Sequence, residues 1–414
     1  MADRPYIARH AERLARESLG DTRVVVLQGA RQTGKSTLAR IVGDSMSNTA
    51  FRFLDRDREQ AAARFDPAAY VQHEGLLVID EIQTVPSLVA EIKAEVDEDP
   101  RPGRFLLTGS ARLLALAQIP DSLVGRAEYI ELWPLSQGEI EESADAFVDA
   151  AFNSTMRSRD GVETPQGYAE RVVRGGFPEA VVRPSAAARS RFLAGYLDAL
   201  IERDVRQVSE IERTAELARL VRASAASTAQ LLVVERMARE LRIPARTLDR
   251  HLAVLEHVYL LKRIPAWANN RTHRATKTPK LAFVDSGLAA HVAGVDAKAL
   301  CDIHNPLRGP FIESFAAMEI ARQLTWSTVR ARQYHYRSKD GAEVDIVIEA
   351  PDGRIVGIEV KASTTVTSRD FRGLRHLARA AGDGWVRGVV LHLGTAARSF
   401  GDGFDAMPLE RLWT

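Results

Sequence analysis

Nine residues, Gly29-Ala30-Arg31-Gln32-Thr33-Gly34-Lys35-Ser36-Thr37, constrain this chain more than any other stretch. They follow apolar Val24-Val25-Val26-Leu27 and open into Leu38-Ala39-Arg40-Ile41-Val42. A buried strand, a glycine-bearing turn and a helical pattern therefore stand in order, which is the context a P-loop requires. The glycines let the backbone curl until successive N–H groups point inward at phosphate oxygens. The following helix adds free N–H groups and partial positive charge at its N-terminus. Lys35 is placed to reach the β- and γ-phosphates of a nucleoside triphosphate, and the Ser36 hydroxyl to ligate Mg²⁺. A basic surface turn with a C-cap glycine is the structural alternative, and it leaves the strand-turn-helix order unexplained.

Two further apolar runs end in chemistry. Leu76-Leu77-Val78-Ile79 is followed by Asp80-Glu81, about forty residues after the P-loop and with the strand Phe51–Asp55 between. Such runs are parallel strands buried on both faces, whose carboxyl ends point at the ligand. Asp80 is expected to hold Mg²⁺ and Glu81 to polarise the attacking water. Phe105-Leu106-Leu107 ends in Thr108-Gly109-Ser110, which offers Thr108 or Ser110 as a γ-phosphate sensor. A strand stop at Gly109 is the structural alternative for either hydroxyl.

Gly125-Arg126 then precedes Ala127-Glu128-Tyr129-Ile130-Glu131-Leu132. Together these motifs resemble the AAA+ ATPase core. The wording Gly-Ala-Arg-Gln-Thr-Gly-Lys-Ser, Asp80-Glu81-Ile82-Gln83 and Leu107-Thr108-Gly109-Ser110 is similar to the AAA-14-type ATPases of bacteria and archaea, which carry a C-terminal domain of unknown function. Gly175-Gly176-Phe177-Pro178-Glu179, Glu202-Arg203-Asp204 and Phe283-Val284-Asp285-Ser286-Gly287-Leu288 continue the likeness along nearly the whole chain. The resemblance implies ATP as the nucleotide, a homo-oligomer, and Arg126 as an arginine finger acting on the neighbouring subunit's γ-phosphate. An ordinary surface arginine or ion pair is the alternative for Arg126.

With 414 residues the chain is long enough for about two to four domains. Lys plus Arg (56) nearly equal Asp plus Glu (55), so any nucleic-acid surface must be a local patch. A lone cysteine, Cys301, excludes an internal disulfide and fits a reducing cytoplasm. Met1-Ala2-Asp3-Arg4-Pro5 opens without an apolar leader, and no apolar run approaches membrane-spanning length. The expectation is a cytoplasmic protein with no membrane partner.

Residues 141–166 are acidic and aperiodic and are expected to lead into a helical lid. From about 210 short helices are expected. Leu231–Leu241, a turn at Arg242–Ala245, and Arg246–Leu255 with apolar 248, 252 and 255 have helix-turn-helix spacing. Leu260–Ile264 reads as the first strand of a wing. Between Glu256 and Asp285 there is no acid, while Lys262, Arg263, Arg271, Arg274, Lys277 and Lys280 accumulate with His273. This segment, 262–280, is a candidate DNA-phosphate patch; a flexible loop or oligomer contact is the alternative.

Toward the end, Pro310–Leu324 is amphipathic with Glu313 in its first turn. Strands follow at Gln333–Arg337, Glu343–Ile348 and Ile355–Lys361, then helix 369–381 and strand Val386–Leu393. An Asp in one strand and Glu-x-Lys in the next resembles the PD-(D/E)-x-K nuclease fold. Asp345 and Glu359 on adjacent strands can share Mg²⁺, and Lys361, on the same face as Glu359, can help activate water. Glu313 matches that fold's auxiliary acid. A solvated charged sheet face is the alternative, against which stands the cost of unpaired charge inside apolar strands.

The expected architecture is α/β. It comprises an AAA+ P-loop parallel-sheet domain (1–140), a helical lid region (141–206), a winged helix (207–270) and a restriction-endonuclease-like domain (271–414). The expected activity is Mg²⁺-dependent ATP hydrolysis coupled to DNA. The alternative is a nucleotide-dependent switch whose C-terminal domain binds nucleic acid or protein without cleaving.

Overall fold

The computed structural model describes residues 6–110, 123–153, 156, 159–204, 214–270, 272, 274, 277–401 and 403–414. The chain forms two compact units. One runs to Leu135 and includes His257–Tyr259; the other comprises Ser136–Glu256 and Leu260–Thr414.

The first unit is built on strands β1 (Val24–Gln28), β2 (Thr49–Phe53), β3 (Leu76–Asp80), β4 (Phe105–Gly109) and β5 (Ala127–Glu131). They form one parallel sheet in the order β2-β3-β4-β1-β5. β1, β3 and β4 are buried along their whole length, as continuous apolar runs demand in a sheet covered on both faces. Alternate residues divide between two cores. Val24, Val26, Leu77, Ile79, Phe105 and Leu107 pack with helix Leu88–Glu98 on one side. Val25, Leu27, Leu76, Val78 and Leu106 pack with helices Ala11–Asp21 and Lys35–Asp44 on the other. The carboxyl ends of β1, β3 and β4 thus deliver the P-loop, Asp80 and Thr108 to one edge.

In the second unit, helices Thr214–Ala226, Val234–Leu241 and Ala245–His257 precede a two-stranded antiparallel hairpin of β6 (Leu261–Ile264) and β7 (Lys280–Phe283). Leu231 bridges to Lys280 from the other side, so β7 is flanked on both edges at that residue. β7 therefore pairs with residues on the other side of the expected boundary between 270 and 271. Beyond it lies a six-stranded mixed sheet of β8 (Arg332–Arg337), β9 (Glu343–Glu349), β10 (Ile355–Lys361), β11 (Trp385–His392), β12 (Arg398–Ser399) and β13 (Phe404–Pro408). Its order is β12-β13-β11-β10-β9-β8, with β10–β11 and β11–β13 parallel. Helix Arg372–Ala381 covers one face through Leu374 and Leu377.

Helix Arg308–Trp326 differs from its expected amphipathic pattern. Its polar residues Ser314, Glu319, Arg322 and Gln323 are buried with its apolar ones. Each is matched: Glu319 pairs with Arg322 and accepts from Gln137 N at 2.9 Å, Gln323 accepts from Val148 N at 3.1 Å, and Ser314 accepts from Thr228 Oγ1 at 2.8 Å. These buried contacts join residues 137–148, 228 and 308–326 within one unit, although the expected boundaries divide them among four segments. No helix among the described residues is long and apolar enough to cross a membrane.

Candidate functional site

The turn after β1 brings its polar groups together through backbone geometry. Gly34 has φ 93° and Gln32 φ 60°, left-handed values that let the loop double back into the helix. A Cβ on Gly29 would sit 2.2 Å from the Leu132 carbonyl oxygen, so only glycine fits there. Lys35 is 4% exposed, and its Nζ donates to the carbonyls of Gly29 (3.0 Å) and Ala30 (2.7 Å) inside the loop. Thr33 Oγ1 donates to Ala30 O at 2.9 Å. Arg31, Gln32 and Thr37 complete the loop and the first turn of helix Lys35–Asp44.

Ser36 Oγ donates to Asp80 Oδ1 at 2.7 Å. Thr108 Oγ1 donates to the same oxygen and accepts from the Glu81 backbone N–H at 3.0 Å. Glu81 stands at φ 58°, a strained position for a glutamate that turns it away from the line of β3. Gln83 Nε2 donates both to a Glu81 carboxylate oxygen and to Ser110 Oγ (2.9 Å), which links Ser110 to Glu81. Ser36, Asp80, Glu81 and Ser110 are thus brought into one network beside the P-loop. An exposed hydroxyl and a carboxylate at hydrogen-bond distance beside a phosphate cradle suit Mg²⁺ bridged by a nucleotide.

Arg9 escaped the sequence reading, as did the contacts made here by Thr108, a sensor candidate there, and by Gln83. Arg9, 7% exposed, donates to Thr33 O at 2.6 Å and Trp133 O at 2.8 Å, clamping the P-loop from outside the motif. Thr108 braces Asp80, and Gln83 couples Glu81 to Ser110. For Gln83 the only signal was its place in Asp80-Glu81-Ile82-Gln83. Arg126 lies at the start of β5, at the sheet edge away from the P-loop of its own chain. Its guanidinium forms a two-pronged pair with Asp97, 2.9 Å on the Nη2 arm, which holds the Asp97 carboxyl below the usual range.

In the second unit, Asp345 on β9 and Glu359 and Lys361 on β10 do come together with Glu313. Asp345 Oδ2 accepts from Val360 N at 3.0 Å, and Lys361 Nζ donates to Glu359 Oε1 at 2.7 Å. At the centre stands a residue the expectation did not include. Lys280 Nζ donates to Glu313 Oε1 and to Asp345 Oδ1 (3.1 Å). Its side chain is 9% exposed, and the two carboxylates outweigh burial to hold its charge more firmly than in an ordinary lysine. Burial, reinforced by the Asp345 charge, pushes Glu313 up to about 8 and Glu359 up to about 7. For Lys361 burial opposes the charge, yet the Glu359 partner raises its pKa. Glu359 Oε2 is buried without a hydrogen-bond partner. Among the described residues no three His, Cys, Asp or Glu side chains are arranged to hold a metal ion. The structure brings the three expected metal-binding acids, Glu313, Asp345 and Glu359, together, with a lysine ammonium bonded to two of them.

In the basic segment 262–280 most of the described charges have partners within the chain. Arg263 pairs with Asp249 and Glu256, and Arg274 with Glu349 while stacking on Trp267 and Tyr334. Lys277 donates to Arg337 O at 3.1 Å, and Lys280 is buried. Arg271 and His273, and the side chains of Arg203 and Asp204, lie outside the described residues. Exposed arginines occur instead on the preceding helix pair: Arg236, Arg239, Arg242, Arg246 and Arg250.

The two glycine motifs find a structural explanation. The Asp285 carboxylate accepts from Gly176 N (2.7 Å) and caps helix Ser286–Ala293 at Leu288 N (2.8 Å). A Cβ on Gly287 would lie 2.8 Å from the backbone of Arg174, so the two segments approach to glycine distance.

Three stretches of the chain match known family models. Residues 21–141 match a family model described as an AAA domain. Residues 165–299 and 308–412 match two models, each described as a domain of unknown function (DUF8612 and DUF4143). "Uncharacterized protein Mb2031c" of Mycobacterium bovis and "Uncharacterized protein Rv2008c" of Mycobacterium tuberculosis are each 29% identical over 413 residues, covering 98% of this chain and 84% of theirs. Among solved structures, AMPPCP-bound DnaA from Aquifex aeolicus aligns over 61% of this chain and 89% of its own, with 13% identity and a TM-score of 0.32. The RuvB Holliday junction branch migration motor of Thermotoga maritima aligns over 61% and 87%, with 20% identity and a TM-score of 0.28. The five-stranded parallel sheet of the first unit thus lies within the stretch that matches an AAA domain model.

Proposed function

We propose that this chain binds ATP with Mg²⁺ at residues Gly29–Thr37 and hydrolyses it, and that hydrolysis serves a DNA-directed task. The contact chain Ser36–Asp80–Thr108–Glu81 beside the P-loop carries the reading. When bound, the nucleotide would supply the scissile phosphoanhydride and Mg²⁺ would supply positive charge to offset that on its phosphates. The chain supplies the rest. Lys35 exchanges its two loop carbonyls for phosphate oxygens. Ser36 and Asp80 would hold the cation. Glu81, positioned by Gln83 and Thr108, orients water in line with the γ-phosphorus, and Ser110 reports on that phosphate through Gln83. Arg126 is too far along the sheet to serve its own P-loop. In a homo-oligomer it would leave Asp97 and enter the neighbour's site as an arginine finger.

For DNA, three helices followed by a hairpin support a winged-helix reading, and the exposed arginines of helices Val234–Leu241 and Ala245–His257, with Arg242 between them, suit phosphate contacts. A second reading is favoured by one observation. Because Lys280 sits among the acids of the nuclease-like sheet, the chain would act as a nucleotide-dependent switch that binds DNA or protein without cleaving it.

Turnover and nucleotide binding in purified variants test the first reading. Lys35→Ala should lose ATP binding. Glu81→Gln should bind ATP with near-normal affinity while turnover falls by about 100-fold or more. Normal turnover in Glu81→Gln would remove Glu81 from its role.

A further inference from the structure

The hairpin β6–β7 delivers a lysine to the place where the sequence pattern leads to a metal ion. Lys280 is fixed there by its backbone, which pairs with Ile264 on one edge and Leu231 on the other. Its ammonium donates to Glu313 and Asp345, and little of the side chain reaches solvent. Around it most of the carboxylate oxygens are already committed. Asp345 uses Oδ1 for Lys280 and Oδ2 for the Val360 N–H, Glu313 uses Oε1 for Lys280, and Glu359 uses Oε1 for Lys361. A buried oxygen without a partner remains in Glu359 Oε2, on a residue only 9% exposed.

A divalent ion would have to share the oxygens that hold Lys280, a few ångströms from a tethered positive charge and a second one on Lys361. Like charges at that separation in a buried site repel strongly. Expelling the Lys280 ammonium would require it to leave both carboxylates and find a new partner from a site where its side chain is largely buried.

We propose that the Lys280 ammonium is the resident cation of this cluster, standing where a divalent metal would otherwise bind. Glu313 and Asp345 then fasten the β6–β7 hairpin to the C-terminal sheet instead of activating water, and the chain has no metal-dependent cleavage at this site. This inference stands apart from the nucleotide reading, since every residue it uses lies outside the P-loop unit.

Mn²⁺ is the probe, titrated into the nucleotide-free full-length chain at pH 8 and followed by loss of the free-ion paramagnetic resonance signal. Wild type and Asp345→Asn should bind Mn²⁺ alike. Lys280→Ala should gain one equivalent bound at least tenfold more tightly than any in wild type, and Lys280→Ala/Asp345→Asn should lose it again. Should Lys280→Ala fail to fold, Lys280→Met keeps the aliphatic stem and takes its place. The proposal is overturned if wild type binds an equivalent of Mn²⁺ that Asp345→Asn removes. A folded Lys280 variant that gains no Mn²⁺ overturns it too.

Discussion

Thr108 does two jobs with one hydroxyl, and both are buried. Its proton goes to Asp80 and its lone pair to the Glu81 N–H, so Thr108→Val removes the donor and the acceptor in a side chain of similar shape. Turnover should drop about 10- to 100-fold with ATP affinity changed less, as expected when a catalytic group is displaced by about an ångström; steady-state kinetics beside a nucleotide titration would measure the split. Arg9 can be tested through stability. Arg9→Met strands the carbonyls of Thr33 and Trp133, each at a cost of about 1–3 kcal/mol if unsatisfied, so thermal unfolding should shift down and ATP affinity fall with it. An unchanged midpoint would mean the clamp is dispensable. That Gly34, Lys35, Ser36 and Asp80 meet at one turn was legible in the sequence, because their meeting depends on local spacing and on neighbouring parallel strands. Arg9 was not, because it acts on partners 24 and 124 residues away and no periodicity encodes such a meeting.

At the scale of elements, strand identity in the C-terminal sheet was largely readable, since β9 and β10 are apolar runs with charges at fixed places. β12 and β13 were not, being short and without alternation. Helix Arg308–Trp326 was found but misjudged: its polar residues imply a wet face, yet each meets a buried partner from a distant segment. Two glycines separate geometry from mere presence. Gly287→Ala places a methyl 2.8 Å from the Arg174 backbone and should destabilise by about 1–3 kcal/mol. Gly309, near the start of helix Arg308–Trp326, has open space around it, and Gly309→Ala should be neutral or stabilise by up to about 1 kcal/mol. Denaturant midpoints for the pair would show whether close approach is what the first glycine serves. For the exposed helix pair, Arg246→Ala/Arg250→Ala should weaken DNA binding without regard to sequence. Its log–log salt dependence should flatten by about one unit for each phosphate no longer neutralised. A salt slope unchanged from wild type would move the DNA surface elsewhere.

For the whole molecule, two dependences are informative. The first is on pH. Burial, aided by the Lys280 charge, lowers His335 to about 4, and its Nε2–H donates to Thr278 O while Nδ1 has no partner. The folded chain therefore keeps this ring neutral where the unfolded chain protonates it near its ordinary 6.5. Stability from this residue is complete above about 6.5 and is lost as pH falls toward 4, by about 3 kcal/mol in all. Urea unfolding across that window should give a flatter profile for His335→Gln than for wild type. The second is on concentration. If Arg126 acts in trans, the ATPase rate per chain should rise with protein concentration, and Arg126→Ala should abolish the rise while leaving ATP binding intact. A rate independent of concentration would remove that role.

The place of β1 in its sheet has a consequence for how the protein is made. This strand is the first to leave the ribosome, yet its two neighbours are β4 and β5, paired from Val24 to Phe105 and to Ala127. Val24-Val25-Val26-Leu27 must therefore wait, apolar and without strand partners, until about a hundred more residues have been added, roughly 5–20 s of synthesis. Such a segment is prone to pair with another nascent chain. Synthesis of this protein should lean on chaperones that shield β1 as it emerges, and fragments ending before Glu131 should aggregate where longer ones stay soluble.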